Sequence, residues 1–222
     1  MRYFFTGKID KKENGFVIQL PFNVWEVCKL RDEIKADMVL DNEIIACKLL
    51  PKEKGNYEIH IEDKDAIKVD LTKSHQMLLH ISGSIIEVSP DSPYSFDNPI
   101  RKIDSVQGII QPDGLCGQTC VAMLAGVTIA DVIRVMDCRE WQATMGMVIS
   151  ALNYYGIDHK DVITYTEGRD CVLPKCCILM ERMGRYCHYL VYFDGKYYDS
   201  NLGVLEEYDK SKLLGYLEIK CE

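Results

Sequence analysis

A thiol that attacks a carbonyl needs three things from its neighbours: a setting that favours the thiolate, a base to carry the proton, and donors for the oxyanion. The segment QPDGLCGQTCVAML, residues 111–124, holds residue types for the first and the third. Cys116-Gly117 opens an apolar run with helical spacing, so Cys116 is expected in the first turn of a helix. There, unpaired N–H groups and the positive end of the macrodipole favour a thiolate. Gly117 removes side-chain bulk beside the sulfur. Gln111, arriving from the preceding turn, is a candidate oxyanion donor alongside the Cys116 main-chain N–H. Cys120 is the rival nucleophile, but one turn into the helix it falls in phase with Met123, Leu124 and Val127, a face suited to packing.

The base follows in CHYLVYFDGKYYDSN, residues 187–201, where Asp194-Gly195 is a two-residue hairpin turn between alternating strands. With that turn Phe193 opposes Lys196, Leu190 opposes Asp199 and His188 opposes Asn201, and opposed residues share a sheet face. His188 therefore projects with a carboxylate and an amide, either of which can hold one ring nitrogen while the other meets a sulfur. Asp199 and Asn201 both stay open as the orienting group on this reading. The remaining histidines, His60, His75, His80 and His159, have no such context and are read as exposed or satisfied. Trp25 and Trp141 are read as packing residues, with a place beside a substrate cleft as the alternative for Trp141.

The elements that must carry these residues divide the chain of 222 residues into two. Residues 1–88 are β-rich: YFFTGKI, GFVIQLP, ADMVLDNEIIACKLL, NYEIHIE, AIKVDL and MLLHIS are short apolar or alternating runs broken by Gly, Asn, Pro and charges. That spacing predicts a small β-barrel with one helical patch, WEVCKLRDEI, capped by Asn23. Residues 89–106, with Pro90, Pro93 and Pro99, read as a linker. Residues 107–222 are α+β, with helices over GQTCVAMLAG, ADVIRVM and TMGMVISALNYYG, and strands over CCILMER, HYLVYFDGKYYDS and GYLEIK.

Composition narrows the function classes. Hydrophobic residues at 47% and charged residues at 27% fit an ordinary globular core, and a net charge of -8 without a basic cluster argues against nucleic acid as partner. No signal peptide or membrane span is expected, so the chain reads as cytoplasmic, with no membrane partner. In that setting the ten cysteines are expected as reduced thiols. A zinc site drawn from Cys116, Cys120, Cys171, Cys176, Cys177 and Cys187 lacks paired CxxC knuckles, and no metal or organic cofactor is expected. No glycine pattern marks a nucleotide site.

Two resemblances add to this. GFVIQLPFNVWEV and VLDNEIIACKLLPKEKGNYEIHI, within residues 3–82, resemble a small β-barrel domain of unknown function that accompanies bacteriocin-protection proteins and is related in shape to AbrB-like barrels. Gln111 followed by Cys116-Gly117 and an apolar helix, with the second helix ATMGMVISALNYYGI, resembles papain-like cysteine peptidases, in the bacteriocin-processing branch, over residues 107–202. The second resemblance implies a papain-like hydrolase with a Cys-His-Asp or Cys-His-Asn set. It favours Asp199 over Asn201, because relatives with a short hairpin place an aspartate after an aromatic, as in YYDSN.

The expectation is then an α+β chain: an N-terminal small β-barrel (1–88), a linker (89–106) and a papain-like cysteine hydrolase domain (107–222). Its catalytic set is Cys116, His188, Asp199 and Gln111, and its substrate a protein or peptide. The alternatives are a non-catalytic interaction protein on the same scaffold, a glutamine deamidase or amidase using the same residues, and a thiol redox or metal sensor.

Overall fold

Alternation of apolar and polar residues makes strands of most of the first part of the chain. In IKADMVL, for example, Ile34, Ala36, Met38 and Leu40 are buried while Lys35 and Asp37 are exposed. A computed structural model describes residues 1–28, 30–62, 67–82, 91–183 and 186–221. Its contacts divide the chain into two units, Met1–Ile85 with Asp161–Tyr165, and Ile86–Lys160 with Thr166–Glu222.

The first unit holds β1 (Arg2–Lys8), β2 (Asp10–Lys12), β3 (Gly15–Gln19), β4 (Ile34–Leu40), β5 (Glu43–Pro51), β6 (Tyr57–Ile61) and β7 (Ser74–Ile81). All their pairings with one another are antiparallel. Tyr3, Phe5, Ile18, Met38, Leu49, Ile59, Met77 and Leu79 form its core. The second unit carries α1 (Cys116–Ala125), α2 (Ile129–Met136) and α3 (Met145–Tyr154). After α3 come β8 (His159–Tyr165), whose residues 161–165 count with the first unit, then β9 (Cys176–Met183), β10 (Tyr186–Phe193), β11 (Lys196–Asp199), β12 (Gly203–Leu205) and β13 (Leu213–Ile219).

The expected barrel followed by a papain-like domain is not what the chain adopts. Among the described residues thirteen strands follow one another in a single hydrogen-bonded order, β12-β11-β10-β9-β13-β8-β1-β7-β4-β5-β6-β3-β2, with three α-helices. One pairing breaks the expected division. HKDVITY, after α3, lies parallel to β1, with Arg2 opposite Val162 and Phe4 opposite Thr164, so the N-terminal strand is paired on both sides and presents no free edge. The Arg2 guanidinium donates to Asp161 across the same pairing at 2.6 Å.

Three smaller expectations also change. In WEVCKLRDEI, Lys29 lies outside the described residues, and the others hold only a 3-10 turn at Val24–Glu26, capped by Asn23, before Ile34 joins the buried face of β4. In AIKVDL, Ala66 lies outside the described residues, and the remainder, 67–71, is not a strand. Of the expected linker, residues 91–106 pack into the second unit: Ser92 donates to the Tyr154 carbonyl, the Ile100 N–H donates to the Tyr155 carbonyl, and Tyr94 meets both tyrosine rings. The expected boundary at 88 and 89 falls in 83–90, outside the described residues.

The helices lie where their periodicity put them, and their ends have physical causes. Thr128 accepts from the Asp131 N–H while the Asp131 side chain accepts from the Thr128 N–H, a capping box that starts α2. Thr144 caps α3 through the Met147 N–H, and Gly126 closes α1 in the left-handed region. By contrast, Leu115, which precedes α1, offers no side-chain cap. The second unit's strands bury Cys177, Leu179, Leu190, Tyr197 and Leu213 as one cluster, which anchors β9, β10, β11 and β13.

Gly117 sets how closely α1 sits in this unit. A Cβ there would come within 2.7 Å of the Ala143 Cβ and 3.3 Å of Val148. Replacing an interior helical glycine by alanine ordinarily gains about 1 kcal/mol, but overpacking a tight site costs about 1–3 kcal/mol. Gly117→Ala is therefore expected to lower the urea midpoint. A rise would mean that the 143 loop yields without strain.

Candidate functional site

Cys116 is the first residue of α1, and without a side-chain cap the N–H groups of that turn are left open beside its sulfur. Its side chain is half-buried, whereas Cys120 is fully enclosed. Burial pushes the Cys120 thiol well above its ordinary range, and the nearby Cys116 and Asp199 charges add to that. Cys120 is thus a packing residue of the helix. The two cysteines of one segment take opposite roles because a helix turns one toward its end and the other into the core.

His188 and Asp199 come from the hairpin of β10 and β11, whose register has Leu190 opposite Asp199 and Phe193 opposite Lys196, as the Asp194-Gly195 turn requires. Both side chains are buried, each residue 6% exposed. His188 Nε2–H donates to Asp199 Oδ2 at 2.9 Å. The other Asp199 oxygen accepts from the Asn201 N–H at 2.7 Å and the Leu202 N–H at 3.2 Å. Asn201 therefore does not stand opposite His188. β11 ends at Asp199, and the turn beyond it brings the Asn201 main chain, rather than its side chain, to the carboxylate.

The charges reinforce one another. Burial alone would lower the His188 pKa, but hydrogen bonds to Asp199 and Cys116, with the charges of both, outweigh it and raise it to about 10. Burial likewise opposes the Asp199 anion, yet His188 and the two main-chain donors hold its pKa below the ordinary value. With Nε2 committed to Asp199, Nδ1 is the ring nitrogen left for the sulfur. The arrangement can take a proton from the sulfur and return it to a departing group.

Gln111 is near but engaged elsewhere. Its main-chain N–H donates to the Ser200 carbonyl at 2.7 Å, tying the segment that precedes Cys116 to the turn after Asp199, while its side-chain amide donates to Asp113 Oδ2 at 3.1 Å. The structure therefore gives Gln111 a bracing role in its main chain and aims its amide at Asp113. Among the described residues no group of three or more His, Cys, Asp or Glu side chains is arranged to hold a metal.

Two residues near the site escaped the sequence reading. Glu181 on β9 stands directly opposite His188 and accepts from the Tyr208 hydroxyl at 3.1 Å. Pairing CCILMER with CHYLVYF as neighbours would have pointed to it. Gln118, fully buried in α1, donates from Nε2 to the Arg139 carbonyl at 3.1 Å and Cys138 Sγ at 3.2 Å, so the helix that carries the thiol also holds the 138–142 loop.

The two shifts define a pH window. His188 is raised above its ordinary 6.5, so its stabilisation is full below about pH 6.5 and is lost as pH rises through about 10. Asp199 is lowered, so its stabilisation is present above about pH 4 and is lost as pH falls through its folded value. The stability gap between wild type and Asp199→Asn is expected to be largest between about pH 4 and 6.5 and to shrink on either side, measured by urea unfolding across pH. A gap independent of pH would mean that the pair carries no charge. Among the known proteins compared with it, no protein-family model matches the chain and no curated protein matches its sequence.

Proposed function

We propose that this chain is a cysteine hydrolase that cleaves a peptide or isopeptide bond of a protein or peptide substrate through a thioester. The observation that carries the reading is His188, fixed through Nε2 to the buried Asp199, with Cys116, at an uncapped helix start, among the groups that raise its pKa. The Cys116 sulfur attacks the carbonyl carbon, and the open N–H groups of the first turn of α1 receive the oxyanion. The C–N bond then breaks as His188 delivers its proton to the departing amine. His188 next takes a proton from water, whose oxygen attacks the thioester. The C–S bond breaks, the acid leaves, and the thiolate returns. Water is the only reactant consumed besides the substrate. With ammonia as the leaving group, the same steps would deamidate a glutamine side chain.

All ten cysteines carry free thiols, which suits a reducing compartment such as the cytoplasm. Among the described residues no single helix is long and apolar enough to cross a membrane.

Labelling with iodoacetamide across pH tests the thiolate. Fast alkylation near or below neutral pH is expected at Cys116, lost in Cys116→Ala and slowed at least tenfold in His188→Ala, while Cys120→Ala leaves the rate at Cys116 within about twofold. Alkylation of Cys116 no faster than that of a free thiol would remove the nucleophile and favour a binding protein. On any substrate found, Asp199→Asn is expected to cost on the order of 10²–10⁴ in turnover and Asn201→Ala less than about tenfold, because only the Asn201 main chain touches the carboxylate.

A further inference from the structure

Trp141 is an unusual residue for a surface loop. Its φ of 62° lies in the left-handed region, which side chains of its size rarely adopt, and its side chain is exposed, the residue keeping 59% of its surface accessible. The loop around it is nevertheless well tied. The Trp141 N–H donates to the Gly114 carbonyl at 2.9 Å, the Arg139 N–H donates to Gln142 Oε1 at 3.0 Å, and the buried Gln118 amide donates to the Arg139 carbonyl. The indole lies over Gly114, where a Cβ would come within 2.4 Å of its Cε2, so glycine at that position leaves the ring its seat.

Gly114 precedes Cys116 by two residues, which places their Cα atoms no more than about 7.6 Å apart. From the other side comes Tyr186, on β10 two residues before His188 and on the same strand face. It is 43% exposed, and its ring lies 6.2 Å from the Trp141 ring at 50°. One ring is thus seated on the segment that delivers the nucleophile and the other on the strand that delivers the base. Two large rings that both reach water, one of them on a well-tied loop, are preorganised to receive an apolar group.

We propose that Trp141 and Tyr186 form the subsite for a bulky apolar side chain of the substrate residue that supplies the scissile carbonyl, so that the hydrolase prefers an aromatic or large aliphatic residue there. This rests on the thiol-hydrolase reading. A benzyl group on that surface removes about 60 Å² more apolar area from water than a methyl group does, worth roughly tenfold in affinity.

The test uses dipeptide acyloxymethyl ketones, in which the Cys116 sulfur displaces the carboxylate to form a thioether. The side chain beside the ketone is benzyl, isobutyl, methyl or carboxyethyl. The readout is the ratio of labelling rates at Cys116, which is internal to each protein and independent of how much of it is folded. In wild type, and in Ile44→Ala as an exposed apolar control on the first unit, benzyl is expected to exceed methyl and carboxyethyl at least tenfold. The ratio is expected to fall below about threefold in Trp141→Ala and to recover in Trp141→Phe. Equal rates across the series, or a preference for carboxyethyl, with iodoacetamide still fast at Cys116, would overturn the subsite and leave the hydrolase standing. Slow iodoacetamide labelling of Cys116 would overturn the hydrolase, and the subsite with it.

Discussion

A carboxylate with almost no access to water keeps its charge only if protein groups replace the water it has lost. Asp199 meets that condition with three donors: the imidazole of His188 on one oxygen and the Asn201 and Leu202 N–H groups on the other. Much of the second unit follows from this requirement. β11 must stop at Asp199 so that the turn can fold back its N–H groups, and β10 must run beside it in the register that brings His188 within reach. The Ser200 carbonyl in that turn in turn receives the Gln111 N–H, which ties the approach to α1 to the same place.

The thiol depends on packing of a different kind. Cys116 faces the imidazole because α1 begins there, and α1 sits close because Gly117 has no side chain to hold Ala143 away. A helix start without a side-chain cap is a loss of roughly 1 kcal/mol in an ordinary helix. Here the N–H groups left open are those that a thiolate or an oxyanion would use. Gln118 then extends the control of α1 to the 138–142 loop, so one helix carries the thiol and steadies the exposed indole beside it.

Much of the candidate site was legible in the chain, because its parts are local. Cys116 opens an apolar helical run, and Asp194-Gly195 admits only a tight hairpin, which sets Leu190 against Asp199. Asn201 was placed wrongly because its position depended on whether β11 continued past Asp199, and the carboxylate's demand for main-chain donors ends the strand. Gln111 was legible as a neighbour, but the aim of a flexible amide is decided by its contacts, here Asp113.

What the sequence by itself determined was the type and extent of most elements: the three helices, most strands, and the hairpin that joins base to carboxylate, since hydrophobic period and turn chemistry are properties of a few consecutive residues. Only the tertiary structure decided how the strands are ordered. HKDVITY follows the third helix, and nothing within it says that it will lie parallel to β1, more than 150 residues away. That choice is made by edges that need partners and faces that need cover, and it turned an expected barrel and separate hydrolase domain into one run of thirteen strands. The same long-range packing put Trp141 over Gly114 and beside Tyr186, which no spacing in the chain announces.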